Sequence, residues 1–139
     1  MRTRFSAIVW SLALLSPTIC DAEDASTQPA QKAALAWLVL TDGGQYALSW
    51  ESAAEFFKTS VSKAAWVGAI SSARSPLGAL KSRQLKSAAF TRALPGAPAG
   101  EYVVIQFTTQ FENKDSAIET ITPMHEKDGS WKVSGYFIK

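Results

Sequence analysis

The fold of this chain is decided by residues 101–111, which read EYVVIQFTTQF. Apolar and polar side chains alternate along this stretch, and alternation with a period of two is typical of a β-strand. The side chains predicted on one face are those of Val103, Ile105, Phe107 and Phe111, and those on the other are Tyr102, Gln106, Thr108 and Gln110. One face of this strand is therefore predicted to be buried and the other to be at least partly in water.

The same period continues on both sides of this strand. We predict three further strands, over residues 85–93, 118–125 and 131–138. Pro123 has no backbone N–H to donate to a neighbouring strand, so we expect it at a sheet edge or a bulge. Asp128 and Gly129 are typical of a tight hairpin turn between the last two strands. The four strands together predict an antiparallel sheet.

The residues before position 80 carry a helical period instead. We predict helices over residues 31–42 and 46–59, and a third from residue 62 to the break at Pro76. Ser52 and Glu55 form a capping box if the second helix starts late. Helices followed by an antiparallel meander predict an α+β fold, in which N-terminal helices pack on a curved four-stranded sheet to give a cone-like shape.

The first 22 residues have the pattern of a secretory signal peptide. Arg2 and Arg4 give a positive start, and residues 5–15 are almost entirely apolar. This apolar stretch is too short to cross a bilayer, which takes about 20 residues. We therefore predict a periplasmic or secreted protein with no membrane contact after cleavage, and the alternative is a lipoprotein anchored through Cys20.

The rest of the chain is predicted to form one folded unit. Residues 23–30 are polar and contain Pro29, so we predict a flexible lead there. Residues 31–139 are then a single domain, as the length of 139 residues and a hydrophobic content of 47% favour.

Composition excludes several classes of function. Fourteen basic and twelve acidic residues leave a net charge of +2, which does not favour a nucleic-acid partner. One cysteine and one histidine, His125, cannot build a structural zinc site or a disulfide framework. No nucleophile motif accompanies His125. We therefore predict no metal, no cofactor and no catalytic residue set.

A series of short motifs follows a fixed order along the chain. They are Trp37-Leu38, Asp42, Gly44, Tyr46, Ser49-Trp50, Phe56-Phe57-Lys58, Trp66, Arg74-Ser75-Pro76-Leu77-Gly78, Ser82-Arg83, Pro95-Gly96, Gly100-Glu101-Tyr102, Glu119-Thr120 and Asp128-Gly129-Ser130-Trp131-Lys132-Val133-Ser134-Gly135-Tyr136. Together they resemble the bacterial family called domain of unknown function 4019, over about residues 30–139. The resemblance implies an exported bacterial protein with no assigned activity and gives no catalytic residues. The order of helices and sheet is also similar to the cone-shaped fold of nuclear transport factor two and ketosteroid isomerase.

A cone-like fold has a mouth in which small ligands commonly bind. The residues predicted to line it are Trp50, Trp66, Arg74, Arg83 and Tyr136, together with Glu119 and Gln106. Two guanidinium groups facing one space bind a carboxylate or a phosphate well. The structural alternative places Arg74 at a helix C-terminus, pairs Arg83 with Glu101 or Glu119, and buries the tryptophans in the core.

Three functions remain open at this point. The preferred one is a non-enzymatic domain that binds a small ligand or a protein partner. The second is an isomerase-like or dehydratase-like enzyme that uses Asp42 as general base together with a tyrosine, which requires a raised Asp42 pKa in an apolar pocket. The structural alternative for Asp42, which precedes two glycines at the end of a predicted helix, is a turn residue. The third is a self-associating structural protein, for instance a homodimer. A filled interior favours an interaction surface, and an open one lined by Arg74 and Arg83 favours an anionic ligand.

Overall fold

The computed structural model describes the backbone of residues 22–139 and the side chains of residues 27–139. The predicted signal peptide, apart from Ala22, lies outside these residues, and so does Cys20. The elements in chain order are α1 (Ala22–Asp42), α2 (Tyr46–Glu51), α3 (Glu55–Ser60), α4 (Lys63–Arg74), a 3-10 turn (Ser75–Leu77), β1 (Leu80–Thr91), β2 (Tyr102–Phe111), β3 (Lys114–His125) and β4 (Trp131–Ile138). The predicted α+β class, with helices before an antiparallel sheet, is confirmed.

The four strands form one sheet in the order β1-β2-β3-β4, each antiparallel to its neighbour. The bulge expected at Pro123 is confirmed, because the pairing of β3 with β4 shifts between Thr122 and Pro123. The predicted hairpin turn is also present, with Gly129 at a φ of 87°, where glycine is favoured.

Strand β1 starts five residues earlier than the alternation predicts and ends at Thr91 instead of residue 93. Its first part pairs with the end of β2, where Leu80 lies opposite Phe111 and Arg83 opposite Thr109. Backbone pairing with a neighbouring strand therefore extends β1 over residues whose own pattern is not that of a strand.

Helix α1 includes residues 23–30, which the sequence analysis predicts to be a flexible lead. The helix also contains Pro29. Thr27 and Ala30 are buried, and the Gln31 side chain donates a hydrogen bond to the Thr27 hydroxyl at 3.2 Å. Burial of this first part against the core outweighs the backbone hydrogen bond that Pro29 cannot make.

Residues 46–60 form two short helices where one was predicted. The backbone N–H of Ala54 donates to the carbonyl of Val133 in β4 at 2.8 Å, which takes the chain out of the helical path. The expected capping box of Ser52 and Glu55 is wrong, since Ala54 is the N-cap residue and the Glu55 N–H donates to the Glu126 carboxylate at 3.3 Å.

The helices cover one face of the sheet, which we call the inner face, and α1 contacts all four strands. Val103, Ile105, Phe107 and Phe111 are buried, as the alternation predicts. Tyr102 is not on a wet face as predicted: it is buried, and its hydroxyl donates to the Pro98 carbonyl at 2.6 Å.

Aromatic rings fill the space between helices and sheet. The ring centroids of Trp37 and Trp66 lie 5.9 Å apart, and those of Phe57 and Trp66 lie 4.9 Å apart. Both separations fall within the range of favourable aromatic pairs.

Candidate functional site

Three of the five predicted site residues meet at one place in the fold. Arg74 ends α4, Arg83 lies on β1 and Tyr136 lies on β4. Between them are two carboxylates, Asp42 at the end of α1 and Glu119 on the inner face of β3. We call Asp42, Arg74, Arg83 and Glu119 the charge cluster.

Arg83 binds both carboxylates of the charge cluster. Its Nε and Nη2 donate to Glu119 at 2.7 and 3.2 Å, and its Nη1 and Nη2 donate to Asp42 at 2.8 and 2.9 Å. These are two bidentate contacts, the strongest arrangement between guanidinium and carboxylate. Burial alone would lower the pKa of Arg83, but its bonds to Asp42 and Glu119 raise it above the ordinary value. Arg83 is therefore a fixed cation.

Arg74 occupies the other side of Asp42. Its Nη2 donates to Asp42 at 2.8 Å, and its Nη1 donates to the Thr41 hydroxyl at 3.3 Å. Its side chain is 4% exposed, and its guanidinium carbon lies 4.8 Å from the centre of the Phe111 ring. Arg74 lies in the last turn of α4, as the structural alternative predicts, and its side chain extends from there to Asp42 and Thr41.

Glu119 is the most enclosed member, with a side chain that is 0% exposed. Besides Arg83, it accepts hydrogen bonds from the hydroxyl groups of Thr109 and Tyr136, each at 2.5 Å. The buried carboxyl group of Glu119 therefore accepts hydrogen bonds from three side chains. The pKa of Tyr136 is raised, first by its burial and then by the negative charge of Glu119.

Asp42 does not have the raised pKa that the enzyme hypothesis requires. Partial burial raises the pKa of its carboxyl, but the hydrogen bonds and charges of Arg83 and Arg74 outweigh this and lower it below the ordinary value. A carboxylate held this way by two arginines is a weak base. The condition that the enzyme hypothesis sets for Asp42, a raised pKa in an apolar pocket, is therefore not met in this structure.

The charge cluster is neutral as a whole, because two guanidinium groups face two carboxylates. Both arginines are thus occupied, and neither presents an unpaired guanidinium to a ligand. The structural alternative for Arg83, pairing with Glu119, is confirmed. Among the described residues, the Nε of Arg74 is a buried side-chain donor with no hydrogen-bond partner.

The two predicted tryptophans belong to the core and not to the charge cluster. The indole N–H of Trp66 donates to the Ser49 hydroxyl at 2.9 Å, and that of Trp50 donates to the Val61 carbonyl at 2.8 Å. Gln106 lies on the other face of the sheet, where its side chain is 3.5 Å from the Thr120 hydroxyl. It does not line a site with the arginines.

The sequence analysis did not identify Thr41 or Thr109 as members of this site. It also did not predict that Asp42 pairs with the two arginines. One signal was present for Glu119, which shares its strand face with the apolar residues Ala117 and Ile121. A carboxylate in an apolar face indicates a buried cationic partner. The partner itself is not readable from the strand.

The described residues contain no group of three His, Cys, Asp or Glu side chains that could hold a metal ion. Within residues 22–139, no helix is long and apolar enough to cross a membrane. Apolar grooves lie beside β4, one lined by Ala33, Trp37 and Trp131 and another by Trp66 and Phe137. Neither groove is lined by Arg74 or Arg83.

Comparisons with curated proteins and with solved structures give no match. The family model described as Protein of unknown function (DUF4019) matches residues 33–136. This match covers α4, the first three strands, most of β4 and every member of the charge cluster. The chain belongs to the family of proteins of unknown function DUF4019.

Proposed function

We propose that this protein is an exported, non-enzymatic interaction domain, which binds a protein partner through its surface. The observation that carries this proposal is the charge cluster, in which Arg74 is paired with the partly buried Asp42, and Arg83 with both Asp42 and the buried Glu119. The space in which a small anion would have to bind is occupied by the protein's own acidic side chains and by aromatic rings.

An anionic ligand would have to displace one of these carboxylates. Glu119 has no exposed surface, so a displaced Glu119 would be left as a buried charge without its cation. Breaking a buried ion pair in this way costs about 3–5 kcal/mol. A ligand of ordinary affinity, about −8 kcal/mol at 1 μM, would lose much of its binding free energy to this step.

The exposed surface of the protein also supports the proposal. Six large apolar side chains of the described residues are exposed, namely Leu35, Val39, Leu48, Leu80, Leu85 and Phe137. The sheet face away from the helices, with Gln106 and Thr108 near its middle, is left without a covering layer of described residues. Uncovered surface of this kind is common at protein interaction sites.

Export rests on the sequence alone, on Arg2, Arg4 and the apolar stretch of residues 5–15. The test is the N-terminal mass of the protein recovered from the periplasm or medium after expression of the full chain. We expect a chain shortened at or near Ala22. An uncleaved chain that stays inside the cell would remove export from the proposal.

The ligand question is tested by thermal unfolding in citrate or phosphate against sodium chloride of equal ionic strength. A ligand present at 100 times its Kd stabilises a protein by about 2.7 kcal/mol, which is a rise of several degrees in Tm. We expect no rise beyond the chloride control. One result would overturn the proposal in favour of an anion-binding domain. It is a rise in Tm that persists in Lys81→Gln, which removes an exposed cation, but is lost in Arg83→Lys.

A further inference from the structure

The two edges of the sheet differ in how they are protected against pairing with another strand. β1 and β4 are the edge strands, because the sheet has the order β1-β2-β3-β4. Two register shifts of β1 fall at Lys81 and Lys86, and charges and bulges are common devices that keep other chains from an edge. Residues 135–138 of β4 have no charge, no proline and no register shift, although Lys132 and Lys139 lie on either side of them. The edge of β4 is thus open over this short stretch.

The pairing of β4 with β3 shows which backbone groups face the open edge. Lys139 and Ile118 exchange two backbone hydrogen bonds, each of 3.0 Å. In an antiparallel pair every second residue is bonded in this way, so Phe137 is bonded to β3 as well. The N–H and C=O groups of Tyr136 and Ile138 therefore point away from β3, toward the open edge.

Among the described residues, one backbone group already occupies part of this edge. The N–H of Ala54 donates to the carbonyl of Val133, near the start of β4. No backbone group within residues 22–139 bonds to Tyr136 or Ile138 on that side. Two N–H donors and two C=O acceptors are therefore free, in the arrangement to which a further strand bonds.

An apolar groove lies beside the same residues, between the edge of β4 and α4. Its volume is about 230 Å³, and it is lined on one side by residues 136–138 and on the other by Trp66, Ala69, Ile70 and Ala73. None of these lining side chains is charged. Ala69 and Ala73 are exposed, and their small side chains leave the groove open to the outside. The groove can therefore accept apolar side chains from a chain that pairs with β4.

We propose that β4 takes up an extended segment of a partner protein as a fifth strand, which rests on the proposed function and specifies its partner surface. Extended peptides bind sheet edges through main-chain hydrogen bonds, and pockets for alternate side chains give specificity. The segment residues opposite Tyr136 and Ile138 face the groove, and the residue between them lies beside Phe137. The segment therefore carries apolar side chains at positions i and i+2, with no proline between them.

A second copy of this chain fits the edge less well than a separate segment does. Two β4 strands that overlap over residues 134–139 meet over about 20 Å of length and about 10 Å of thickness, roughly 200 Å² from each copy. This is about a quarter of the roughly 800 Å² that each partner of a standard interface buries. The Tyr136 side chain of the second copy is also held in its own core, where it donates to Glu119, so it cannot fill the groove.

The test starts from a displayed library of random heptapeptides, selected on protein purified after expression of the full chain. We expect enriched sequences with apolar residues at i and i+2. An enriched peptide is then synthesised, and backbone amide hydrogen exchange of the protein is followed by NMR. In the complex, the N–H groups of Tyr136 and Ile138 should exchange at least about tenfold more slowly, whereas that of Phe137, already bonded to β3, should change less.

Matched variants separate strand addition from binding elsewhere. Ala69→Arg fills the groove and should weaken peptide binding at least about tenfold, while Ala64→Arg, the same change at an exposed position of α4 outside the groove, should not. Ile138→Pro removes an N–H that does not face β3, so it should weaken binding more than Ile138→Ala, which keeps this donor. Circular dichroism and the urea midpoint of each variant check that the fold is kept.

Two results would overturn strand addition at β4. One is a selection that enriches no peptide. The other is an enriched peptide that leaves exchange at Tyr136 and Ile138 unchanged or tolerates Ala69→Arg, in which case the protein binds polypeptide elsewhere and the proposed function stands without this site. Stabilisation by citrate through Arg83 would instead remove the proposed function, whatever the peptides show.

Discussion

Replacing Glu119 by glutamine tests the charge cluster with the smallest change of shape. Glutamine has nearly the same volume but no charge, so Arg74 and Arg83 would be left with Asp42 as the single carboxylate of the cluster. The amide NH₂ of glutamine would also face a hydrogen-bond donor of a neighbouring residue, because both oxygens of Glu119 accept hydrogen bonds. Both effects leave a buried polar group without a partner.

The size of the effect follows from the burial of Glu119. Four hydrogen bonds to a charged group, at about 1.5 kcal/mol or more each, would sum to at least about 6 kcal/mol, but groups that act as a unit do not add in this way. Removing one partner of a buried ion pair costs about 3–5 kcal/mol, which is the loss we expect for Glu119→Gln. This is about a fifth or more of the 5–15 kcal/mol by which a typical domain is stable.

The measurement is urea unfolding, followed by tryptophan fluorescence and circular dichroism at about pH 7. With an m-value of about 1–3 kcal/mol/M, the midpoint should fall by more than about 1 M. Asp115→Asn is the control, since it makes the same chemical change on the same strand at an exposed position and should shift stability by less than about 0.5 kcal/mol. Equal midpoints for Glu119→Gln and Asp115→Asn would refute the account of a buried, mutually neutralising cluster.

Three more predictions use other features of the fold. The pKa of Asp42 is lowered on folding, so the contribution of Asp42 to stability is present above about pH 4 and is lost as the pH falls through the folded-state pKa. In urea titrations, Asp42→Asn should be less stable than wild type near pH 7 and should lose less stability on acidification. Parallel curves of stability against pH for the two proteins would contradict this. Tyr136→Phe removes one hydrogen-bond donor to Glu119 and should lower the free energy of unfolding by about 1–2 kcal/mol. The absorbance titration of the folded variant up to about pH 11 should equal that of the wild type, because the pKa of Tyr136 is raised. In urea unfolding, Gly78→Ala should destabilise the protein by about 1 kcal/mol or more beyond Gly96→Ala. Both glycines have a positive φ, but a Cβ at residue 78 would lie 2.9 Å from the Cβ of Glu112, whereas a Cβ at residue 96 would meet nothing within 4 Å. Equal losses of stability would show that Glu112 moves away freely.

The sheet was the part of the fold that the sequence specified best. Strand β4 begins and ends at the predicted residues, and β2 differs by one residue at its start. Alternation is a local pattern that survives in the fold because one face of each strand must be dry. The bulge at Pro123 was predictable for a similar reason, since a missing N–H is a property of the residue itself.

The charge cluster was only partly predictable, because its members are brought together by packing. Arg74 and Arg83 were expected to share a space, but Asp42 was assigned to a turn or a catalytic role and Thr109 was not considered. Their meeting depends on where the end of α1 lies over β1 and β3, which no local pattern encodes. A tertiary contact likewise decided that the chain breaks its helix at Ala54.

The cluster also makes the position of the helices on the sheet specific. A shift of α1 by one residue along its axis moves Asp42 by about 1.5 Å, which is enough to break its 2.8 Å contacts with Arg74 and Arg83. Apolar packing alone tolerates such shifts better than buried ion pairs do, because apolar contacts have no required partner. The inner face of the sheet is thus committed to one arrangement of α1 and α4. The sheet face away from the helices takes no part in that arrangement, so a partner can cover it without disturbing any ion pair of the cluster.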